Sequence, residues 1–426
     1  MDHFGYRAGE LICEDVAVAA IAEREGTPAY VYSTQTFVDH FDRLRAAFAE
    51  LNPIICYSIK SCHNLHILRL MRSLGASFDV VSGGELVRAL EVGADASRIV
   101  FAGVGKTDDE IRMALGARVG WFNVESEQEL ERIDQLCELS NASTGAALRV
   151  NPDVDPHTHR YTTTGKRETK FGVDVDRARR VFREFGRDRR VRLTGIHLHI
   201  GSPVNRVEPY VEAVTRALQL VESLRVDGLT IDTLNIGGGF GAHYEGAEAP
   251  AAQAYAEAVI PVLRARGLQL ILEPGRSISA NAGILLARTI FTKRGGDKTF
   301  VIVDAAMTEL IRPALYEAYH FAWPVKPANG MVPPHRGRDL KLDGTSLVDV
   351  VGPVCESADL LAPNRWLPPI QRGDLLAIFS TGAYGSVMGS RYNSRPLAPE
   401  ILVDGGDYRV IRPRESYDQM LAAERS

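Results

Sequence analysis

At 426 residues, 45% of them apolar and 24% charged, the chain is too long for one ordinary core and reads as a globular protein of two domains. A net charge of -5 with no Lys/Arg-rich run excludes the electrostatic footprint of a nucleic-acid or membrane-surface binder. The start, MDHFGYRAGELICEDVAV, has no basic-then-apolar leader and no stretch is apolar for long enough to span a bilayer, so a cytoplasmic location is expected.

In chain order, ELICEDV and PAYVYS read as strands, and TQTFVDHFDRLRAAFAE (34–50) as a helix with Phe37, Phe41, Leu44 and Phe48 on one face. Eight short apolar runs follow: IICYSI (54–59), FDVVS (78–82), IVFAG (99–103), WFNVES (121–126), AALRVNP (146–152), LTGIHLHIG (193–201), TLNIGGG (233–239) and LQLILEPG (268–275). Between them lie amphipathic segments such as LHILRLMRSLGA and EPYVEAVTRALQLVESL. Strand alternating with helix eight times predicts an α/β fold, a (β/α)8 barrel over residues 35–280. The helix at 34–50 can close the ring in place of one after the eighth strand. Beyond residue 280 the texture changes to hairpins and short strands: GILLARTIFTKRGGDKTFVIVDA, SLVDVVGPV, GDLLAIFS and ILVDGGDYRVI. Residues 1–34 and 281–426 are therefore expected to form one mostly-β domain built from both chain ends, with 322–340 as a loop or connection.

The chemistry is expected at the C-terminal ends of the barrel strands. Lys60 ends an otherwise buried run, where an ammonium is costly to desolvate unless it has a purpose. A desolvated amine of lowered pKa can form a Schiff base with a carbonyl. The other ends carry Ser82-Gly83-Gly84-Glu85, Gly105-Lys106, Asn123 and Glu125, Arg149 and Asn151, His197 and His199, Gly237-Gly238-Gly239, and Glu273 with Arg276. Three consecutive glycines let backbone N–H groups approach an anion closely, in the loop where barrels bind phosphate. An amine, a phosphate cradle, imidazoles, a carboxylate and an arginine together suit pyridoxal 5′-phosphate (PLP). Histidines at i, i+2 on a strand also suit a metal, with His157 and His159 as further ligands, but that reading leaves Lys60 and the glycines without a role. Cys13, Cys56, Cys62, Cys137 and Cys355 are odd in number, scattered and without a C-x-x-C pair, as reduced thiols are.

YSIK (57–60), FDVVSGGEL (78–86), GVGKTDDEI (103–111), RVNPDVDPHTH (149–159), KFG (170–172), HLHIGS (197–202), GGGF (237–240) and EPGR (273–276) together resemble the fold-type III PLP-dependent decarboxylases. RPALYEAYH (312–320), VGPVCESAD (351–359), GAYG (382–385) and YNSRP (392–396) extend the resemblance to the members that act on meso-2,6-diaminopimelate. The resemblance implies an alanine-racemase-like two-domain architecture and decarboxylation of that substrate to L-lysine, the last step of lysine biosynthesis. It implies Lys60 as the Schiff-base lysine and His199 stacked on the PLP ring. By the same resemblance, Ser202, Gly237, Gly238, Gly239 and Arg276 are expected to hold the phosphate, and Glu273 to pair with the pyridine nitrogen. Asp79, Gly275 and Tyr384 are further cofactor contacts by the same resemblance. The resemblance also implies that Arg276, Arg312, Tyr316 and Tyr384 contact the substrate, that Glu356 meets its distal amino group and that Cys355 donates the proton. A homodimer is implied, with the Cys355–Glu356 loop completing the partner's site, and no metal. Pro203, Ala358, Thr381 and KSCHN (60–64) depart from the family pattern without removing a chemical group. Other amino-acid substrates, a racemase on the related fold, or a PLP-binding regulator without turnover are the alternatives at this point.

Overall fold

A computed structural model describes residues 2–155, 170–187, 189–245 and 249–425; His157 and His159 lie outside them. The described chain forms two compact units. One takes His40–Gly241 and Ala249–Ser277, the other Met1–Asp39, Ala242–Glu248 and Ile278–Ser426.

The first unit is a closed ring of eight parallel strands: β1 (Ile54–Ser58), β2 (Ser77–Val80), β3 (Val100–Phe101), β4 (Trp121–Val124), β5 (Thr144–Asn151), β6 (Val191–His197), β7 (Thr233–Asn235) and β8 (Gln269–Leu272). Each pairs with the next, β8 pairs with β1, and β4 with β5 completes closure. All eight residues of β5 are buried, which is why the sequence shows continuous apolar runs here rather than alternation. β3 is only two residues long, shorter than its apolar run suggests. Helices Leu65–Ser73, Gly83–Glu91, Asp108–Ala117, Glu127–Leu139 and Val175–Phe185 follow the first five strands. Their starts are held by side chains of Asn64, Ser82, Thr107, Ser126 and Asp174, each accepting a backbone N–H of the first turn. Glu208–Val226 and Ala252–Leu263 follow β6 and β7. Only the short turn Arg276–Ser279 follows β8, whereas helix Thr34–Ala47 precedes β1. The aromatic ring of Phe48, just past that helix, lies 6.1 Å from Phe240.

Strand periodicity decides what the ring encloses. Cys56, Val100 and Ile271 form an apolar layer, with Ile54 and Trp121 against it. Two residues further along β1, β4 and β8 come Ser58, Asn123 and Glu273, and along β3 the small Ala102, so the next layer is mostly polar. Lys106, at the end of β3, does not reach this layer. Its ammonium, 1% exposed, donates to the carbonyls of Gly103 and Asn123 at 2.8 Å and to Glu129 at 2.5 Å.

In the second unit, strand Ala29–Ser33 lies between β9 (Gly283–Gly295), antiparallel, and Glu400–Asp404, parallel. The two chain ends thus meet in one sheet, which continues through Lys298–Val303, Ser346–Val351 and Leu360–Leu367. Within 322–340, Ala322–Pro324 is a short strand on Leu375–Ile378, so this stretch is not wholly loop. Among the described residues no helix is long and apolar enough to cross a membrane.

Breaking a buried ion pair leaves an uncompensated charge. Lys106→Met is expected to cost about 3 kcal/mol in urea unfolding, and adding Glu129→Leu should recover most of it.

Candidate active site

The 3-10 turn Ile59–Ser61 carries Lys60 from β1 onto the rim of the ring. Its ammonium meets the Asp79 carboxylate at the end of β2. Ser58 donates to the same Asp79 oxygen at 2.6 Å and lies 3.1 Å from the Glu273 carbonyl, tying β1, β2 and β8 together. Asp79 is fully buried; burial pushes its carboxyl up, with Lys60 and the Ser58 hydroxyl pulling back. Its second oxygen, Oδ1, has no hydrogen-bond partner.

Glu273 sits across the ring interior. Oε1 accepts amide N–H groups from Asn123 on β4 at 2.7 Å and Asn235 on β7 at 2.6 Å. The Asn235 amide is oriented by the Gly237 N–H, which donates to its Oδ1 at 2.8 Å. Burial disfavours the Glu273 charge, but His197, Lys60 and the Asn235 amide outweigh it and hold the carboxyl well below its ordinary range. His197 Nε2 stands 3.4 Å from Oε2.

The glycine triplet follows β7. A Cβ on Gly238 would stand 2.0 Å from the Glu273 carbonyl oxygen, and one on Gly237, at φ +68°, 2.3 Å from that of Leu198. Only glycine fits this approach. Tyr210 supports the loop from below, its hydroxyl donating to the Gly238 carbonyl at 2.6 Å, and its ring stacks 5.4 Å from Phe240. The Gly238 N–H points at His199 Nδ1, 3.4 Å away. Burial, reinforced by the charge of Arg149, keeps the His199 imidazole neutral, well below its ordinary pKa. Arg276, at the start of its turn, is buried and donates from Nε to Ser202 Oγ at 3.0 Å. A Cβ on Gly275 would meet that of Ser58 at 3.0 Å.

The first unit therefore brings Lys60, Asp79, His199, Ser202, Gly237, Gly238, Gly239, Glu273, Gly275 and Arg276 to one rim. A glycine cradle beside an arginine and a serine suits a phosphate, and the unpartnered Asp79 Oδ1 offers an acceptor beside the lysine. A carboxylate held ionised by amides suits a protonated ring nitrogen. These residues fit PLP. A cavity of about 570 Å³, lined by Arg118, Trp121, Arg192 and Asp232, lies at the opposite, N-terminal ends of the strands and contains none of them.

In the second unit, Arg312 is buried, and its guanidinium donates to His320 Nε2 at 2.7 Å and lies 4.9 Å over the Tyr244 ring. His320 Nδ1 donates to the Phe379 carbonyl at 2.9 Å, which leaves Nε2 as the acceptor Arg312 needs. Tyr316 is half-buried on the same short helix, Arg312–Tyr316. Tyr384 is half-buried with φ +56°, in the left-handed region. Cys355 and Glu356 are exposed; the Cys355 N–H donates to Asn393 at 2.8 Å, and the Tyr392 hydroxyl lies 3.4 Å from Glu356. Their loop is clamped by buried Asp359, which accepts the N–H groups of Val354 at 2.8 Å and Met307 at 2.6 Å. Sequence reasoning did not single out Asn235, Tyr210, Tyr244 or His320. Asn235 carried a signal, since asparagine is a poor strand former at a buried strand position.

Residues 34–280 match the family model described as pyridoxal-dependent decarboxylase, pyridoxal binding domain. The barrel and its rim thus define a PLP-dependent decarboxylase of fold type III. The chain is 44% identical over 414 residues to diaminopimelate decarboxylase of Neisseria meningitidis serogroup A, covering 97% of this chain and 98% of that one. It is 43% identical to the Aquifex aeolicus diaminopimelate decarboxylase over 98% of this chain and 96% of the relative. The crystal structure of the Helicobacter pylori diaminopimelate decarboxylase complexed with L-lysine is similar at a TM-score of 0.89 and 36% identity, covering 96% of this chain and 99% of that one. The chain belongs to the diaminopimelate decarboxylase family.

Glu85 offers a test of the rim's electrostatics. Burial pushes its carboxyl up to about 7, against the pull of Lys60. The folded state then binds the proton more tightly than the unfolded one, so this group's contribution to stability falls as pH rises from about 4.5 to 7 and is flat above. Glu85→Gln should gain on the wild type across that window, by about 2 kcal/mol at pH 8 after allowance for partial exposure. Urea unfolding at several pH values reads the difference.

Proposed function

We propose that this chain decarboxylates meso-2,6-diaminopimelate to L-lysine and CO2, as the last step of lysine biosynthesis. The observation that carries the reading is the rim cluster of Lys60, Asp79, Glu273, the glycine triplet and Arg276, on a chain alike along its length to diaminopimelate decarboxylases.

Bound PLP supplies an electron-accepting ring conjugated to the substrate α-carbon. Lys60 holds the cofactor aldehyde, and Asp79 keeps the amine in place. Ser202, Arg276 and the Gly237–Gly239 loop would hold the phosphate, the Gly237 N–H staying on Asn235 and Gly275 leaving room against β1. His199, held neutral by burial and beside Gly238, would lie against the cofactor. Glu273 holds the ring-nitrogen proton; its two amide partners keep it an acceptor. Arg312 and Tyr316 bind a substrate carboxylate, as does Arg276, with Tyr384 beside cofactor and substrate. The Arg312 guanidinium is already aimed by His320 and Tyr244, which lowers the entropic cost of binding. Glu356 accepts the distal ammonium, and Cys355 delivers a proton to the α-carbon after CO2 departs.

The chain acts as a homodimer in which Cys355 and Glu356 serve the partner copy's site. Their exposure supports this reading, since a proton donor and an ammonium receptor need a desolvated setting to discriminate. An exposed unpaired thiol also fits the reducing cytoplasm.

CO2 release and product analysis with meso-diaminopimelate, lysine, ornithine and arginine test the substrate. Lysine is expected from meso-diaminopimelate alone, and turnover of another of the four in its place would sink the assignment. Lys60→Ala should lose the absorbance band of lysine-bound PLP, whereas Cys355→Ala should keep it and slow turnover strongly. Mixing these two inactive dimers and allowing subunit exchange should restore about a quarter of wild-type activity if each site draws on both chains. No recovery on mixing would show that each copy uses its own Cys355.

A further inference from the structure

The role given to Glu273 leaves its neighbour His197 unexplained. His197 ends β6, where the register sets it opposite Arg149 on β5 and Asn235 on β7. It is 2% exposed, and neither ring nitrogen has a hydrogen-bond partner. An imidazole always carries at least one N–H, and a buried donor left unmatched is costly, so a histidine kept here for packing alone would be served better by leucine. His199, two residues on, is engaged differently, by the Gly238 N–H at Nδ1.

The polar atom facing His197 Nε2 is Glu273 Oε2, at 3.4 Å. That is long for a charge-assisted hydrogen bond and within reach of a small ring rotation. Glu273 Oε1 already accepts from Asn123 and Asn235, so Oε2 carries the free lone pairs. A carboxylate oxygen accepts two donors, and His197 therefore does not compete with a cofactor ring nitrogen for that oxygen. Lys60 and Asp79 interact electrostatically with Glu273, and Arg149 lies opposite His197 in the register, with neutral His199 alongside.

We infer that His197 is a positioning residue: its Nε2–H donates to Glu273 Oε2, keeps that carboxylate ionised and aimed, and so fixes the proton on the cofactor's ring nitrogen. This rests on the reading that Glu273 meets that nitrogen. The step involves no bond other than the hydrogen bond, and the proton stays with the ring nitrogen because Glu273, with three N–H donors, is a poor base.

The experiment compares His197→Leu, His197→Gln and Glu273→Gln. It measures the PLP dissociation constant by reconstitution of the apo-protein, and the bound cofactor's absorbance from pH 6 to 9. A hydrogen bond to a charged group is worth roughly tenfold to a hundredfold in affinity. His197→Leu is expected to weaken PLP binding by that factor and displace the absorbance titration. His197→Gln, which keeps an N–H at the same reach, should restore both to within about threefold. In the Glu273→Gln background, removing His197 should change neither further. Wild-type behaviour of His197→Leu, or a His197→Gln variant as impaired as His197→Leu, overturns the inference while leaving the Glu273 reading intact. A silent Glu273→Gln overturns that reading and this one with it. If His197→Leu does not fold, His197→Met takes its place with and without Glu273→Gln: a loss of PLP affinity that persists undiminished on top of Glu273→Gln, or no loss at all, overturns the coupling, and one that vanishes there supports it.

Discussion

Holding a carboxylate ionised in the middle of a closed barrel is the constraint around which the first unit is arranged. Charge is expensive to bury, and Glu273 is buried. Two amides from strands on different sides of the ring offset the cost at one oxygen, and each amide needs its own support. Asn235 is oriented by a glycine amide, which ties the charge of Glu273 to the conformation of the Gly237–Gly239 loop. That loop in turn leans on the Glu273 carbonyl so closely that no side chain fits. Glycine loop and charge are thus parts of one hydrogen-bonded assembly.

The same rim treats its other charges differently. Asp79 is paired with the Lys60 ammonium, and one of its oxygens is left without a partner. Lys106, by contrast, gives all its hydrogen bonds to two carbonyls and Glu129 and is withdrawn from the rim. Two lysines at strand ends of one barrel therefore differ, Lys106 being buried against Glu129 and Lys60 about a third exposed beside Asp79 and Ser58.

In the second unit, side chains are held in place by fixed partners. Arg312 is held by a histidine whose tautomer is set by a backbone carbonyl, and by the face of Tyr244. The Cys355–Glu356 turn is exposed, but its backbone is clamped by Asp359, and a Cβ on Gly352 would run 2.4 Å from that carboxylate. A rigid loop with reactive side chains facing outward is suited to serve a neighbouring molecule.

The alternation of apolar runs with amphipathic segments made the barrel legible, because parallel strands buried on both faces must be apolar and their crossovers must cover them. Lys60, the glycine triplet and Glu273 stood out because an ammonium, a triple loss of side chains and a carboxylate are each costly at buried strand ends unless they act. What the amino-acid order alone could not express is which of those groups meet. Asn123 and Glu273 are 150 positions apart and bond only because the ring closes; Lys106 looked like a rim residue until Glu129 came within reach. His197 and His199 read as an equivalent pair on one strand face. Tertiary structure separates them, setting one imidazole against a carboxylate and the other against a glycine amide, because what surrounds a side chain is supplied by the neighbouring strands rather than its own.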